Sequence, residues 1–288
     1  MSFMAPGQVV WFEIGTRDST AAEKFYSQLL GWNFEVDPDS SVDGRRYIRI
    51  MAPGAQWPMG AISESDSSGE QINVSAFSED VSADADRLRE AGATVLVPAT
   101  QVADVTWFAV LADPQGNPFS LFSRTSNASL KDRAAATEEH FEQSSYTPAP
   151  GSFAWFEIGT TDADATREFY NKAFGWRFEL DETAGGKPYY NVFTGNQWPS
   201  GGMYDHGAEG TDYLMPSFRT DDVTARSKAA EDLGAVIEFG PDSNPDGLVY
   251  SRIIDPNGNR FGCSPRLRSP DPKESRHEDR VARNRRWP

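Results

Sequence analysis

Cysteine and histidine are the scarcest reactive residues in this chain, and their scarcity removes several chemistries at once. Cys263 is the only cysteine in 288 residues, so no intramolecular disulfide forms. Neither a cysteine-rich zinc site nor a secreted disulfide scaffold is available. The three histidines, His140, His206 and His277, are too scattered to assemble a Ser, His and acid set. Positive charge is also in deficit. The 27 basic side chains face 43 acidic ones, for a formal charge of −16, which repels phosphate backbones and argues against a nucleic-acid partner. No run approaches about 18 consecutive apolar residues, and Met1 to Gln8 lack the basic start and apolar stretch of a signal peptide. A soluble, cytoplasmic protein with no membrane partner is expected. The P-loop pattern is missing, and the glycines of AGGKP and GGM open no helix that could cradle a phosphate.

What the chain has is aromatic surface, 12% of its residues, enough length for two ordinary domains, and a repeat. Residues 9 to 36 and 153 to 180 share 14 of 28 positions at a constant offset of 144. QWPMG at 56 answers QWPSG at 197, REAGA at 89 answers EDLGA at 231, and DPQGNPF at 113 answers DPNGNRF at 255. The copies correspond throughout, which marks a duplication. The first domain is placed at 1–123, a polar linker at 124–150 with a short helix near Leu130 to Phe141, and the second domain at 151–265. A basic tail at 266–288, poor in apolar residues, is expected to be disordered.

Within each copy an apolar strand leads to a helix capped by Asp18 or Asp162, whose carboxylate can accept from free backbone N–H groups. Ala22, Phe25, Tyr26, Leu29 and Leu30 recur at helical spacing, and Gly31 or Gly175 ends the helix. Strand-like runs follow at Tyr47 to Met51 and around Met59 to Ser63, then a strand, a helix with Val81, Ala85, Leu88 and Ala91 on one face, and three more strands. The expected class is α+β, with two βαβββ modules in each of two tandem domains.

The motifs W-F-E-x-G-T-x-D, F-Y-x-x-x-x-G-W and D-P-x-G-N, present in both copies, resemble the vicinal oxygen chelate superfamily of glyoxalases, bleomycin-resistance proteins and extradiol dioxygenases. The tandem-domain actinobacterial members are the most similar type. The resemblance covers both domains, omits the tail, and implies glyoxalase-like domains. It leaves function open, because the superfamily spans isomerases, dioxygenases, thiol transferases and metal-free binding proteins. In metal-dependent relatives three positions hold ligands, and the resemblance maps them here to Trp11, Asn73 and Ser120, and to Trp155, Met215 and Gly262. None is a strong ligand, so neither a metal nor another cofactor is expected. Asp205 and His206 read as turn residues before Gly207.

Side chains alternate across a strand, so Trp11 and Glu13, and equally Trp155 and Glu157, are expected to face the clefts. Asn73, Ser120 and Phe122 line the first cleft by the same count, and Met215, Arg219 and Arg260 the second. Trp107 and Tyr250 on the penultimate strands, and Trp57 and Trp198 in the repeated QWP, are expected to close the cavities. Trp32 and Trp176 are assigned to packing. Aromatic walls around a carboxylate suit a small aromatic or hydrophobic organic ligand. Glu13 and Glu157 are candidate general bases of a metal-independent lyase, isomerase or cyclase. Each could instead be neutralised by an arginine, Arg49 in copy one, Arg219 or Arg252 in copy two. A third reading makes the chain a surface-acting module whose basic tail docks on an acidic partner. The copies are expected to pair within one chain as a monomer, or the chain to form a homodimer.

Overall fold

The computed structural model describes residues 5–38, 45–64, 70–102, 106–124, 148–184, 186–245 and 247–265. The expected linker helix, the tail, His140 and His277 lie outside them. In the first domain the order is β1 (Val9–Thr16), α1 (Ser19–Leu30), β2 (Asn33–Val36), β3 (Tyr47–Met51), β4 (Gly60–Glu64), β5 (Gln71–Phe77), α2 (Val81–Glu90), β6 (Thr94–Val102), β7 (Thr106–Ala112) and β8 (Pro118–Arg124). The second domain repeats it as β9 (Phe153–Thr160), α3 (Ala163–Phe174), β10 (Arg177–Leu180), β11 (Tyr189–Phe193), β12 (Gly201–Asp205), β13 (Tyr213–Arg219), α4 (Val223–Asp232), β14 (Val236–Ser243), β15 (Val249–Ile254) and β16 (Arg260–Ser264). Each domain is therefore two βαβββ modules. No described helix is long and apolar enough to cross a membrane.

The helices begin and end where side-chain chemistry dictates. Asp18 and Asp162 accept from the backbone N–H of Ala21 and Ala165 at 2.9 and 3.0 Å, satisfying donors that the first turn leaves open. Gly31 and Gly175 close α1 and α3 at φ 71° and 69°, a left-handed conformation that costs glycine nothing. The strands of each domain form one eight-stranded sheet, ordered β2-β3-β4-β1-β5-β8-β7-β6 and β10-β11-β12-β9-β13-β16-β15-β14. The modules join through the antiparallel pairs β1–β5 and β9–β13.

One face of each sheet carries the helices, and these faces meet between the domains. Phe12, Ile14, Tyr26, Leu29 and Ile48 of the first domain pack in one core with Phe218, Val223, Ile253 and Phe261 of the second. A second core joins Val74, Leu88, Leu111 and Leu121 to Phe156, Ile158, Phe169 and Tyr170. Each first module is thus buried against the second module of the other domain, at ~1.5–3 kcal/mol for every fully buried large side chain.

The repeated motifs acquire a physical meaning at this junction. In F-Y-x-x-x-x-G-W the tyrosine stacks on the tryptophan, Tyr26 on Trp32 at 4.7 Å and Tyr170 on Trp176 at 4.7 Å between ring centroids. Each indole N–H then reaches across the junction, Trp32 to the Gly151 carbonyl at 2.7 Å and Trp176 to the Gly7 carbonyl at 2.8 Å. Each tyrosine donates to the D-P-x-G-N aspartate of the other domain, Tyr26 to Asp255 at 2.9 Å and Tyr170 to Asp113 at 3.0 Å. Trp32 and Trp176, 2% exposed, are packing residues with a polar anchor. Arg87 donates to the Ala173 carbonyl at 2.5 Å and Arg226 to the Leu29 carbonyl, so the C-terminal turns of α3 and α1 are both capped from the other domain.

The QWP loops border this junction too, and Trp198 lies outside the lining of the second-domain cavity, which corrects its expected place there. Gln8 donates to Asn196 beside Gln197 at 2.6 Å, and the Phe153 N–H meets the Met59 sulfur at 3.2 Å. Trp57 and Trp198 stand at the surface, 54% and 51% exposed.

Candidate functional site

In the second domain the face turned away from the helices carries a cavity. On β9 Phe156 and Ile158 enter the core, so Trp155 and Glu157 occupy the opposite face and keep part of their surface accessible. The register sets a row across the second domain: Trp155 opposite Ser217, Ser217 opposite Gly262, Gly262 opposite Arg252. The middle of that row is low and its ends are tall, and a cavity of about 130 Å³ opens there. Trp155, Tyr189, Tyr204, Phe239 and Tyr250 supply its aromatic walls, with Glu157, Asn191, Met215, Ser217, Asn244 and Arg252 among the other lining residues. All of these belong to the second domain, so pairing of the copies buries helices and does not create this cavity.

Glu157 is held unevenly. Tyr213 donates to its Oε1 at 2.5 Å, whereas Oε2 has only a long contact from Tyr189 at 3.4 Å. The Tyr213 hydroxyl accepts from Arg252, and the Tyr189 hydroxyl accepts from the Trp155 indole at 3.2 Å. Burial raises the Glu157 carboxyl above its ordinary range, opposed by the Tyr213 hydrogen bond and the Arg252 charge. Two glycines make the arrangement possible. A Cβ on Gly159 would lie 2.1 Å from the Tyr213 ring, and one on Gly202 would lie 1.8 Å from the Tyr189 hydroxyl. Both rings therefore lie flat on bare backbone and bring their hydroxyls to Glu157. Sequence reasoning missed Tyr213 and Tyr189. The available signal was the glycine of W-F-E-x-G, which shares the cleft face with the glutamate.

The first domain repeats the frame with other side chains. Trp11 lies opposite Ser75, Ser75 opposite Ser120, and Ser120 opposite Val110. Phe122 packs 6.5 Å from Trp11 and 5.9 Å from Phe77 between ring centroids. Glu13 faces Asn73 across the ladder and contacts Tyr47 at 3.4 Å. Desolvation by burial pushes its carboxyl up from 4.5 to about 7, with hydrogen bonds from Tyr47 and Ser63 opposing. Among the described residues no arginine charge counts among the causes that shift it. Arg49 is bound to Asp37 at 2.6 and 3.1 Å, which corrects its expected pairing with Glu13.

Three other placements differ from expectation. Trp107 packs against the core shared with the second domain, on the same face as Ala109 and Leu111, and so faces the helices. Arg219 turns to Asp221 and lies outside the lining of the cavity, without pairing to Glu157. Arg260 also lies outside it, holding Glu238 at 2.6 and 2.8 Å and stacking 5.2 Å from the Tyr213 ring centroid. Tyr250 does line the cavity and stacks on Phe239 at 5.4 Å. His206 opens a short turn, with burial and the Arg252 charge lowering its pKa.

The positions that the resemblance gives to a metal do not fit one. Trp155, Met215 and Gly262 present an indole, a thioether and a bare backbone, and Trp11, Asn73 and Ser120 add only a carboxamide and a hydroxyl. Among the described residues no group of three or more His, Cys, Asp and Glu is placed to hold a metal ion.

Residues 11–122 match the glyoxalase-like domain family, and residues 152–262 match the glyoxalase/bleomycin resistance protein/dioxygenase superfamily. The chain is 25% identical over 277 residues to the anthracycline biosynthesis protein DnrV of Streptomyces peucetius, covering 91% of this chain and 94% of that one. It is 24% identical over 264 residues to a putative glyoxylase of Mycobacterium tuberculosis, with 87% and 92% covered. Among solved structures, the 2,3-dioxygenase LapB from Pseudomonas aligns with a TM-score of 0.58 at 15% identity over 94% of this chain and 96% of that one. The Mn(II)-bound glyoxalase from Novosphingobium aromaticivorans gives 0.57 at 15%, with 91% and 83% covered. At such identities the structural likeness establishes the fold alone. Repeat, sheet order and family matches over both halves agree, and the chain belongs to the glyoxalase/bleomycin resistance protein/dioxygenase superfamily as two glyoxalase-like domains in tandem.

Proposed function

We propose that the second domain binds a small, flat aromatic molecule in its cleft without a metal ion, and that the chain acts by sequestering it. The observation that carries this reading is the aromatic cavity at the place where the resemblance puts a metal. Its volume of about 130 Å³ is close to the ~150 Å³ of an apolar cavity that holds benzene. One ring fits inside, and larger parts of a ligand extend toward solvent. Each well-stacked aromatic pair adds ~0.5–1.5 kcal/mol beyond area burial. The name of the Streptomyces relative supports the reading, since anthracyclines are flat, polycyclic and aromatic.

A second reading makes Glu157 the general base of a metal-independent lyase, isomerase or cyclase, with Glu13 as its counterpart. It is favoured by the raised carboxyl of Glu157 and by the weakly held Oε2, the atom left to accept a proton. Titration with phenol and 1-naphthol, followed by tryptophan fluorescence and calorimetry, tests the first reading. Saturable binding is expected that survives dialysis against a chelator and weakens about tenfold in Trp155→Ala. No saturation with any aromatic probe, or binding that disappears with the chelator, would sink it. Glu157→Gln separates the two readings: a sequestering protein keeps its affinity, whereas a catalyst loses turnover and keeps affinity.

A further inference from the structure

We infer that the aromatic ligand of the second domain is an anion, an aryl carboxylate whose oxygens face Arg252 while its ring lies among the aromatic walls. This rests on the binding role proposed above and names the ligand class. Arg252 lines the cavity and is the one charged end of the row that starts at Trp155. Its guanidinium is fixed in place: Nη1 donates to the Tyr213 hydroxyl, and the group lies 5.2 and 5.0 Å from the ring centroids of Tyr213 and Phe239.

Among the described residues its only ion pair is a long one. Glu238 comes no nearer than 4.0 Å and spends both oxygens on Arg260, at 2.6 and 2.8 Å. Glu157 is reached only through the Tyr213 hydroxyl between them. A rigid, partly desolvated guanidinium in this state favours a planar anion over any neutral group of equal shape. Gly262 leaves room for it, because a Cβ there would stand 2.8 Å from Ser217 Oγ, filling the gap beside Arg252.

The first domain argues the same point by contrast. Val110 and Ser120 stand where Arg252 and Gly262 stand, paired in the same way. The first domain thus offers no cation at this position, and Ser120 carries the Cβ that Gly262 lacks, so the anion site belongs to the second domain.

The test uses the full chain and three probes of one ring: benzoate, its neutral isostere benzamide, and phenol, each titrated by calorimetry at pH 7.5. Wild type is expected to prefer benzoate to benzamide by about tenfold, the scale of one hydrogen bond to a charged group. Arg252→Met should abolish the preference while keeping phenol affinity within about threefold, and Arg252→Lys should retain part of it. Phenol binding in each variant reports that the cleft is still folded. Phenol binding with no benzoate preference in wild type overturns the anion assignment and leaves the aromatic reading standing. A preference that persists in Arg252→Met overturns the role of Arg252. Failure of all three probes to bind wild type overturns both readings.

Discussion

Asp255→Ala is expected to lower the melting temperature by roughly 10 °C, a loss of about 3–5 kcal/mol for a chain of this size. The Asp255 carboxylate accepts from the Tyr26 hydroxyl at 2.9 Å, from the backbone N–H of Asn257 and Asn259 at 2.9 and 2.8 Å, and from the Asn259 amide at 3.0 Å. The residue is 4% exposed, and three of these four bonds are buried, so truncation strands three donors away from water, each at ~1–3 kcal/mol. Relaxation and entering water keep the total below the sum. Tyr26→Phe removes one donor and leaves the aspartate its other three, and it should cost only about 1 kcal/mol. Asp113 holds the same four kinds of donor, with Tyr170 as the tyrosine, and Asp113→Ala should behave like Asp255→Ala.

Calorimetry checks a further consequence. Both hydrophobic cores contain residues of both domains, so unfolding should be one cooperative transition and not two. Two separated transitions, or an Asp255→Ala protein that melts within about 2 °C of wild type, would show that the junction does not hold the domains together.

Much of this was legible in the sequence. Helical spacing of apolar residues, paired Asp caps and terminal glycines located α1 and α3, because those signals depend on neighbours a few residues apart. The repeat then gave the second domain from the first. What the sequence could not supply depends on register. TWFAVL has apolar residues at every position after its first, so alternation does not tell which face enters the core. Trp107 aligns with Val249 and not with Tyr250, and a shift of one residue turned it from the helix face to the cleft. Arg49 met Asp37, a residue just past the adjacent strand, where no local pattern indicates a partner. Trp198 was misplaced for another reason: a repeated motif in a tandem protein can serve the junction between copies as readily as a site within each. The D-P-x-G-N and F-Y motifs do this, and they mark the fold because they bind each other.

Glu13→Gln is expected to stabilise the chain above pH 7 by up to ~3 kcal/mol and to flatten much of its pH dependence between 4.5 and 7. The folded chain keeps the Glu13 proton to about pH 7, whereas the ordinary value for the unfolded chain is 4.5. In that window the folded state binds more protons than the unfolded one, so stability falls as pH rises through it. About 2.5 pH units at 1.36 kcal/mol each set the upper bound. The local geometry agrees. Asn73 sits directly across the ladder from Glu13, and its Oδ1 is buried without a hydrogen-bond partner. A protonated carboxyl can donate toward that oxygen, whereas a carboxylate sets acceptor against acceptor. A glutamine keeps a donor at every pH. Some slope should persist in the variant, because burial raises Glu157 as well, though there Arg252 opposes the shift. Urea melts of wild type and Glu13→Gln from pH 5 to 8 measure the difference. Wild-type stability that stays level or rises over this range, with the variant parallel to it, would show that Glu13 ionises freely in its cleft and that water, not apolar surface, surrounds it.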